Sequence, residues 1–150
     1  MVSERWHATA IALGQAAVLI VGPSGSGKSD LALRCISPIA GHRFDNQFHL
    51  VSDDQTCLRR DGDNIIVFPP VAIAGKLEVR GVGIINVNHL AQAHLRLLVR
   101  LTANQPERFP DDDDLDEQVL GCPIRRIWLR PFEASADVKL ALSLQQVLTT

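Results

Sequence analysis

The stretch AAVLIVGPSGSGKS, residues 16–29, decides how the rest of the chain is read. Ala16 to Val21 is a short, continuous apolar run ending in Ile-Val, which suits a buried strand better than a helix. Gly22-Pro23-Ser24-Gly25-Ser26-Gly27-Lys28-Ser29 then matches G-x-x-x-x-G-K-[ST] at every required position. Glycines at 22, 25 and 27 let the backbone curl around a phosphate, so that its N–H groups and the positive end of the following helix face the anion. In such a loop Lys28 reaches the β- and γ-phosphates and the Ser29 hydroxyl ligates Mg²⁺.

Outward from the loop, Leu31, Ala32, Leu33 and Ile36 predict a helix that stops at Ser37-Pro38. His49 to Ser52 reads as a second strand, delivering Asp53 and Asp54 at its carboxyl end, where open α/β sheets place ligands. Two adjacent carboxylates there point in different directions and suit a Mg²⁺ site or a general base, although an Asx turn ending a strand has the same residues. Thr56 to Arg60 and Asn64 to Phe68 form strand-like runs joined by Asp61-Gly62-Asp63, a hairpin signal that argues for a partly antiparallel sheet. Leu90, Ala93, Leu97 and Leu98 keep a helix-like spacing, while Leu97 to Leu101 reads equally as a strand. Ile124 to Leu129 reads as a strand, and Leu140, Leu144, Val147 and Leu148 as one stripe of a terminal helix beginning near Ser135.

With 150 residues, 46% of them hydrophobic, the chain matches one α/β domain over residues 1–150. A formal net charge of −2 gives no broad basic surface for nucleic acid or membrane, so a small ligand or a protein is the expected partner. Cys35, Cys57 and Cys122 are widely spaced and read as structural thiols of a reducing compartment. No apolar run is long enough for a signal peptide or membrane span, and a cytoplasmic location is expected. Asp111 to Asp114, with Asp116 and Glu117, reads as a solvated mobile loop. His42, His49, His89 and His94 lack ligand spacing and are given no role.

Leu77-Glu78-Val79-Arg80-Gly81-Val82-Gly83-Ile84-Ile85-Asn86 sets an acid and a cation two apart, on one face if extended, just before flexible glycines. Such a pair would hold Mg²⁺ and neutralise a transferring phosphate, or it would be a surface ion pair on a strand. In order, a histidine before the first strand, the P-loop, a strand ending in Asp-Asp and this L-E-V-R-G-V-G-I-I-N segment resemble the catalytic domain of the HPr kinase/phosphorylase family. The resemblance spans roughly His7 to Val87, and its last element is the most specific to the family.

The resemblance implies an α/β P-loop nucleotide-binding domain with a mixed, partly antiparallel sheet and an ATP- and Mg²⁺-dependent protein serine kinase acting on HPr or an HPr-like phosphocarrier. It makes Lys28 the phosphate-binding lysine, Ser29 and Glu78 the Mg²⁺ ligands, and Asp54 the base for the substrate hydroxyl, beside Asp53. His7 takes the place of the family's active-site histidine, and Arg80 belongs to a segment used in both transfer directions. Glu107-Arg108-Phe109 resembles the site of a later active-site arginine. Full-length members carry an N-terminal domain without a counterpart in this sequence, so the short alphaproteobacterial form is the expectation. The family's late Pro-Gly-Arg-Asn stretch is replaced by Pro131-Phe132-Glu133-Ala134-Ser135, which favours the kinase direction over reverse phosphorolysis. A homo-oligomer of open size is expected. A small-molecule kinase would use the same constellation, and a nucleotide-sensing regulator would bind ATP without transferring phosphate.

Overall fold

The computed structural model describes residues 3–36, 48–106, 108 and 115–149. In chain order its elements are β1 (Ser3–Trp6), β2 (Ala8–Leu13), β3 (Ala16–Val21), α1 (Lys28–Ile36), β4 (Phe48–Ser52), β5 (Thr56–Asp61), β6 (Asn64–Phe68), β7 (Lys76–Val79), β8 (Gly83–Asn86), β9 (Ala93–Leu101), β10 (Asp116–Val119), β11 (Cys122–Leu129) and α2 (Ala136–Leu148). Among the described residues nine strands form one mixed sheet, and β7 and β8 form a separate antiparallel hairpin. The α/β class, the strand before the P-loop, the helix after it, the β5–β6 hairpin and the terminal helix are as expected. Ser37-Pro38, the expected end of α1, lies outside the described residues.

The main sheet is built around β9. Along one side β9 pairs parallel with β3; along the other, β6 pairs with its start, at Ala93 and His94, and β11 pairs parallel with Leu97 to Leu101. Strand β2 runs antiparallel to both β3 and β4. The amino end of β2 and the carboxyl ends of β3, β4, β9 and β11 therefore meet at one edge of the sheet. That edge carries the site.

Helices α1 and α2 cover one face. Leu31, Ala32, Cys35 and Ile36 of α1 and Ala136, Leu140, Ala141 and Leu144 of α2 pack with Ile11, Val18, Ile20, Leu97 and Val99 of the sheet. Each fully buried leucine here contributes roughly 1.5–3 kcal/mol relative to exposure. On the opposite face Ala8, Ala10 and Ala12, at strand period, pack with Leu19, Leu58, Ile65 and Val67. Thr56 Oγ1 donates to Ala8 O at 2.8 Å, which ties the start of β5 to β2.

Two expectations are corrected. Of the helically spaced Leu90, Ala93, Leu97 and Leu98, the last three lie in strand β9 and Leu90 precedes it, so the helix alternative falls and the strand alternative for Leu97 to Leu101 holds. The register of β3 against β9 slips between Ala17 and Val18, so Arg96 is an extra residue: Leu95 faces the alanine side and Leu97 the helix side. A β-bulge of this kind breaks the two-residue period and imitates a helical one. The second correction concerns Asp116 and Glu117, which open strand β10 instead of continuing a solvated loop. Arg100 of β9 donates from Nε to Glu117 Oε1 at 2.8 Å, and Arg126 of β11 lies 3.4 Å from the same oxygen. These cations hold the Glu117 carboxyl below the usual glutamate range, the Arg100 hydrogen bond contributing most. Asp111 to Asp114 lie outside the described residues.

Candidate active site

Strand β3 feeds the glycine-rich loop. A Cβ on Gly22 would lie 2.5 Å from Ser26 Oγ and 3.3 Å from the Leu101 side chain, so only glycine lets the loop turn this tightly against β9. Gly25 and Gly27 take φ of +79° and +103°, and Ser26 N donates to Pro23 O at 3.0 Å to close the turn. Lys28, the first residue of α1, is 5% exposed. Its Nζ donates to Gly22 O at 2.8 Å and Pro23 O at 3.0 Å. Burial holds the ammonium below the ordinary lysine value, while Asp54 and then Asp53 pull it upward.

Asp53 and Asp54 point in different directions, as adjacent residues at a strand end should. Asp53 is 5% exposed and joins three other elements. Its Oδ1 accepts from Thr9 Oγ1 of β2 at 2.9 Å and from Ser29 Oγ of α1 at 2.7 Å, and its Oδ2 accepts from Glu78 N of β7 at 3.1 Å. Asp54 is exposed and sits at φ +65°, left-handed backbone that costs about 1 kcal/mol or more for a residue with a Cβ. The Asp54 backbone N–H donates to Thr9 Oγ1 at 3.3 Å, and Asp54 Oδ1 lies 2.7 Å from His7 Nε2. His7 is thus part of the site and not a loose terminal residue. It arrives there because β2 starts at the edge where β4 ends.

Glu78 is presented by β7, whose neighbour Leu77 is fully buried in the core beneath α1. Glu78 and Arg80 line a cavity of about 440 Å³ together with Lys28, Ser29 and Asp54. Leu33, Val79 and Phe132 are its apolar lining. Arg108 is exposed and is not part of that lining; its neighbours Glu107 and Phe109 lie outside the described residues. Thr9 and Phe132 are the residues that sequence reasoning missed as parts of the site. Thr9 has no motif around it. Phe132 carried a signal, since it stands in the segment that replaces the family's Pro-Gly-Arg-Asn.

Ser29 and Glu78 both line the cavity, and Asp53 accepts from the Ser29 hydroxyl and from Glu78 N; the Ser29 hydroxyl and the Glu78 carboxylate are the hard oxygen donors that a Mg²⁺ arriving with phosphates would take. Among the described residues no group of three or more His, Cys, Asp or Glu converges as an all-protein metal cage. Among them also, no helix is long and apolar enough to cross a membrane.

Sheet, loop and flanking helix define a P-loop-type α/β domain. The chain belongs to the HPr serine kinase C-terminal domain family, whose model matches residues 2–134. It is similar to the HPr kinase/phosphorylase of Clostridium botulinum, with 30% identity over a 138-residue alignment covering 82% of this chain and 41% of that protein. The Bordetella pertussis HPr kinase/phosphorylase is 38% identical over 125 residues, covering 75% of this chain and 38% of that protein. The chain therefore spans about two-fifths of these relatives. The solved structure of the Hpr(Ser) kinase/phosphatase from Coxiella burnetii matches with a TM-score of 0.75 at 25% identity, covering 97% of each chain.

Proposed function

We propose that this domain transfers the γ-phosphoryl group of ATP to a serine hydroxyl of HPr or an HPr-like phosphocarrier. The observation that carries the reading is that Asp54, which lines the cavity with Lys28 and Ser29, is paired with His7. His7 Nε2 occupies Asp54 Oδ1 and orients the carboxylate, leaving Oδ2 to accept the proton of an incoming hydroxyl as that oxygen attacks phosphorus in line. Lys28 exchanges its two loop carbonyls for phosphate oxygens, and the loop N–H groups and the amino end of α1 hold the remaining charge. Ser29 and Glu78 would hold Mg²⁺, which when bound shields the β- and γ-phosphate oxygens. Asp53 keeps the Ser29 hydroxyl and the Glu78 backbone in register, and Arg80 offers a further cation to the transferring group. Catalysis of this kind is mostly positioning plus electrostatics.

Membership in the HPr serine kinase family and the kinase/phosphorylase names of the relatives support the acceptor. The test is to incubate the chain with ATP, Mg²⁺ and the HPr-like protein of its own organism and to look for phosphoserine by mass spectrometry. Lys28→Ala should abolish transfer, and Asp54→Asn should slow it at least 100-fold while ATP affinity changes little, as expected for loss of a general base. Unchanged transfer by Asp54→Asn removes Asp54 as the base. Tight ATP binding without any phosphoserine would favour a sensing role.

A further inference from the structure

We propose that Phe132 is the platform on which the nucleobase of the incoming nucleotide stacks, so that the nucleotide lies with its γ-phosphate toward Asp54 and its base toward Phe132. This rests on the reading of Gly22 to Ser29 as a nucleotide site and adds the polarity and base selectivity of that site.

Phe132 is 71% exposed, yet its ring stands against the phosphate loop. A Cβ on Gly27 would meet its Cζ at 3.0 Å. Single exposed apolar side chains are common, but among the described residues this one is the only aromatic lining a cavity built of glycine, hydroxyl and charge with Leu33 and Val79. The loop that carries it is also tied down. Arg34 of α1 donates to Pro131 O and to Glu133 O, and Arg130 Nη1 donates to Gln105 Oε1 at 2.7 Å. An aromatic face held still at the wall of an open cavity is pre-organised for a flat partner.

Chemistry sets the direction. The phosphate to be transferred must face Asp54, Glu78 and Arg80; of the apolar lining, Val79 stands between the last two in sequence, which leaves Leu33 of α1 and Phe132, between β11 and α2, as the surface for the nucleoside. Topology agrees, because Phe132 follows β11, which is parallel to β9 and through it to β3, and so lies on the carboxyl edge where ligands of α/β sheets bind. Glu133, the polar neighbour of Phe132 in sequence, is engaged elsewhere: it is bonded to Lys139 at 2.7 Å and lies 3.5 Å from Arg130. Stacking without hydrogen bonds to the base edge recognises a π-face and not a base identity. Adenine and guanine are then accepted alike.

Calorimetric titration of the whole chain with the Mg²⁺ complexes of ATP, GTP and inorganic tripolyphosphate tests this. Wild type should bind ATP and GTP within about threefold of each other and about tenfold tighter than tripolyphosphate, a tenfold step being ~1.4 kcal/mol. Phe132→Ala should lose about tenfold for both nucleotides and nothing for tripolyphosphate. Phe132→Trp should keep nucleotide affinity and gain a fluorescence change with ATP but not with tripolyphosphate. Wild-type ATP affinity in Phe132→Ala, or an equal loss for tripolyphosphate, overturns the stacking role and leaves the phosphate site standing. A wild-type chain that binds neither ATP nor tripolyphosphate overturns the nucleotide reading and the stacking with it.

Discussion

Replacing Thr9 by valine measures what one buried hydroxyl contributes to the site. Thr9 is fully buried; its Oγ1 donates to Asp53 Oδ1 at 2.9 Å and accepts from Asp54 N at 3.3 Å. Valine has nearly the same volume, so no cavity forms and the backbone of β2 is undisturbed. What disappears is a hydrogen bond to a buried carboxylate, about 1.5–3 kcal/mol, and a long amide contact of about 0.5–1 kcal/mol. The extra buried methyl returns about 0.8 kcal/mol, leaving a net loss of about 2 kcal/mol. For a domain of this size that lowers Tm by about 4–8 °C, readable in thermal and urea unfolding. Asp54 loses the contact that holds its left-handed backbone, so kcat for transfer should fall while ATP affinity stays within about twofold, because Lys28 and the loop amides are untouched. Thr9→Ser keeps both contacts and should restore stability and kcat. Stability of Thr9→Val within about 0.5 kcal/mol of wild type, or a Thr9→Ser variant as impaired as Thr9→Val, would refute the assignment of the effect to the hydroxyl.

Gly27→Ala combines a φ of +103° with a Cβ placed 3.0 Å from Phe132 Cζ and 3.1 Å from Pro131 Cβ, so a loss of about 1–3 kcal/mol and weaker tripolyphosphate binding are expected. Part of that loss should disappear in a Phe132→Ala background; none disappearing would mean that the ring does not crowd the loop. The Cys35 thiol is pushed up to about 12 from 9.0, chiefly by burial and then by Asp137, so in the native state it should resist alkylation at pH 8. Above pH 9 the unfolded chain releases this proton and the folded chain does not, so stability falls as pH rises, by about 3 kcal/mol at pH 11. Cys35→Ala should show a shallower alkaline decline in urea unfolding, and an unchanged slope would count against the burial.

The elements that were legible in the sequence are those set by near neighbours. Ala16 to Val21 had an uninterrupted apolar run, and Asp61-Gly62-Asp63 punctuated the hairpin between β5 and β6. Strand β2 was not visible in Ala8 to Leu13, because alternating alanines carry little hydrophobic contrast and reveal their face only against Leu19, Leu58 and Val67. Strand β9 was ambiguous because the bulge at Arg96 shifts the parity of its side chains midway. Strand β10 was hidden in an acidic run, since the arginines that neutralise Glu117 lie on β9 and β11.

The sequence by itself determined that a phosphate loop stands between a strand and a helix and carries Lys28 and Ser29, because a P-loop is made by consecutive residues and glycine spacing suffices to find it. The roles of Asp54 and Glu78 entered as expectations through the family resemblance. Only the tertiary structure decided that His7 meets Asp54, that Thr9 and Asp53 join β2, α1 and β7, and that Phe132 stands over Gly27. Those contacts depend on the register of β2 against β3 and β4 and on a parallel β9 carrying β11 to the same edge. Register is a property of pairing between distant segments, and no local run of residues specifies it.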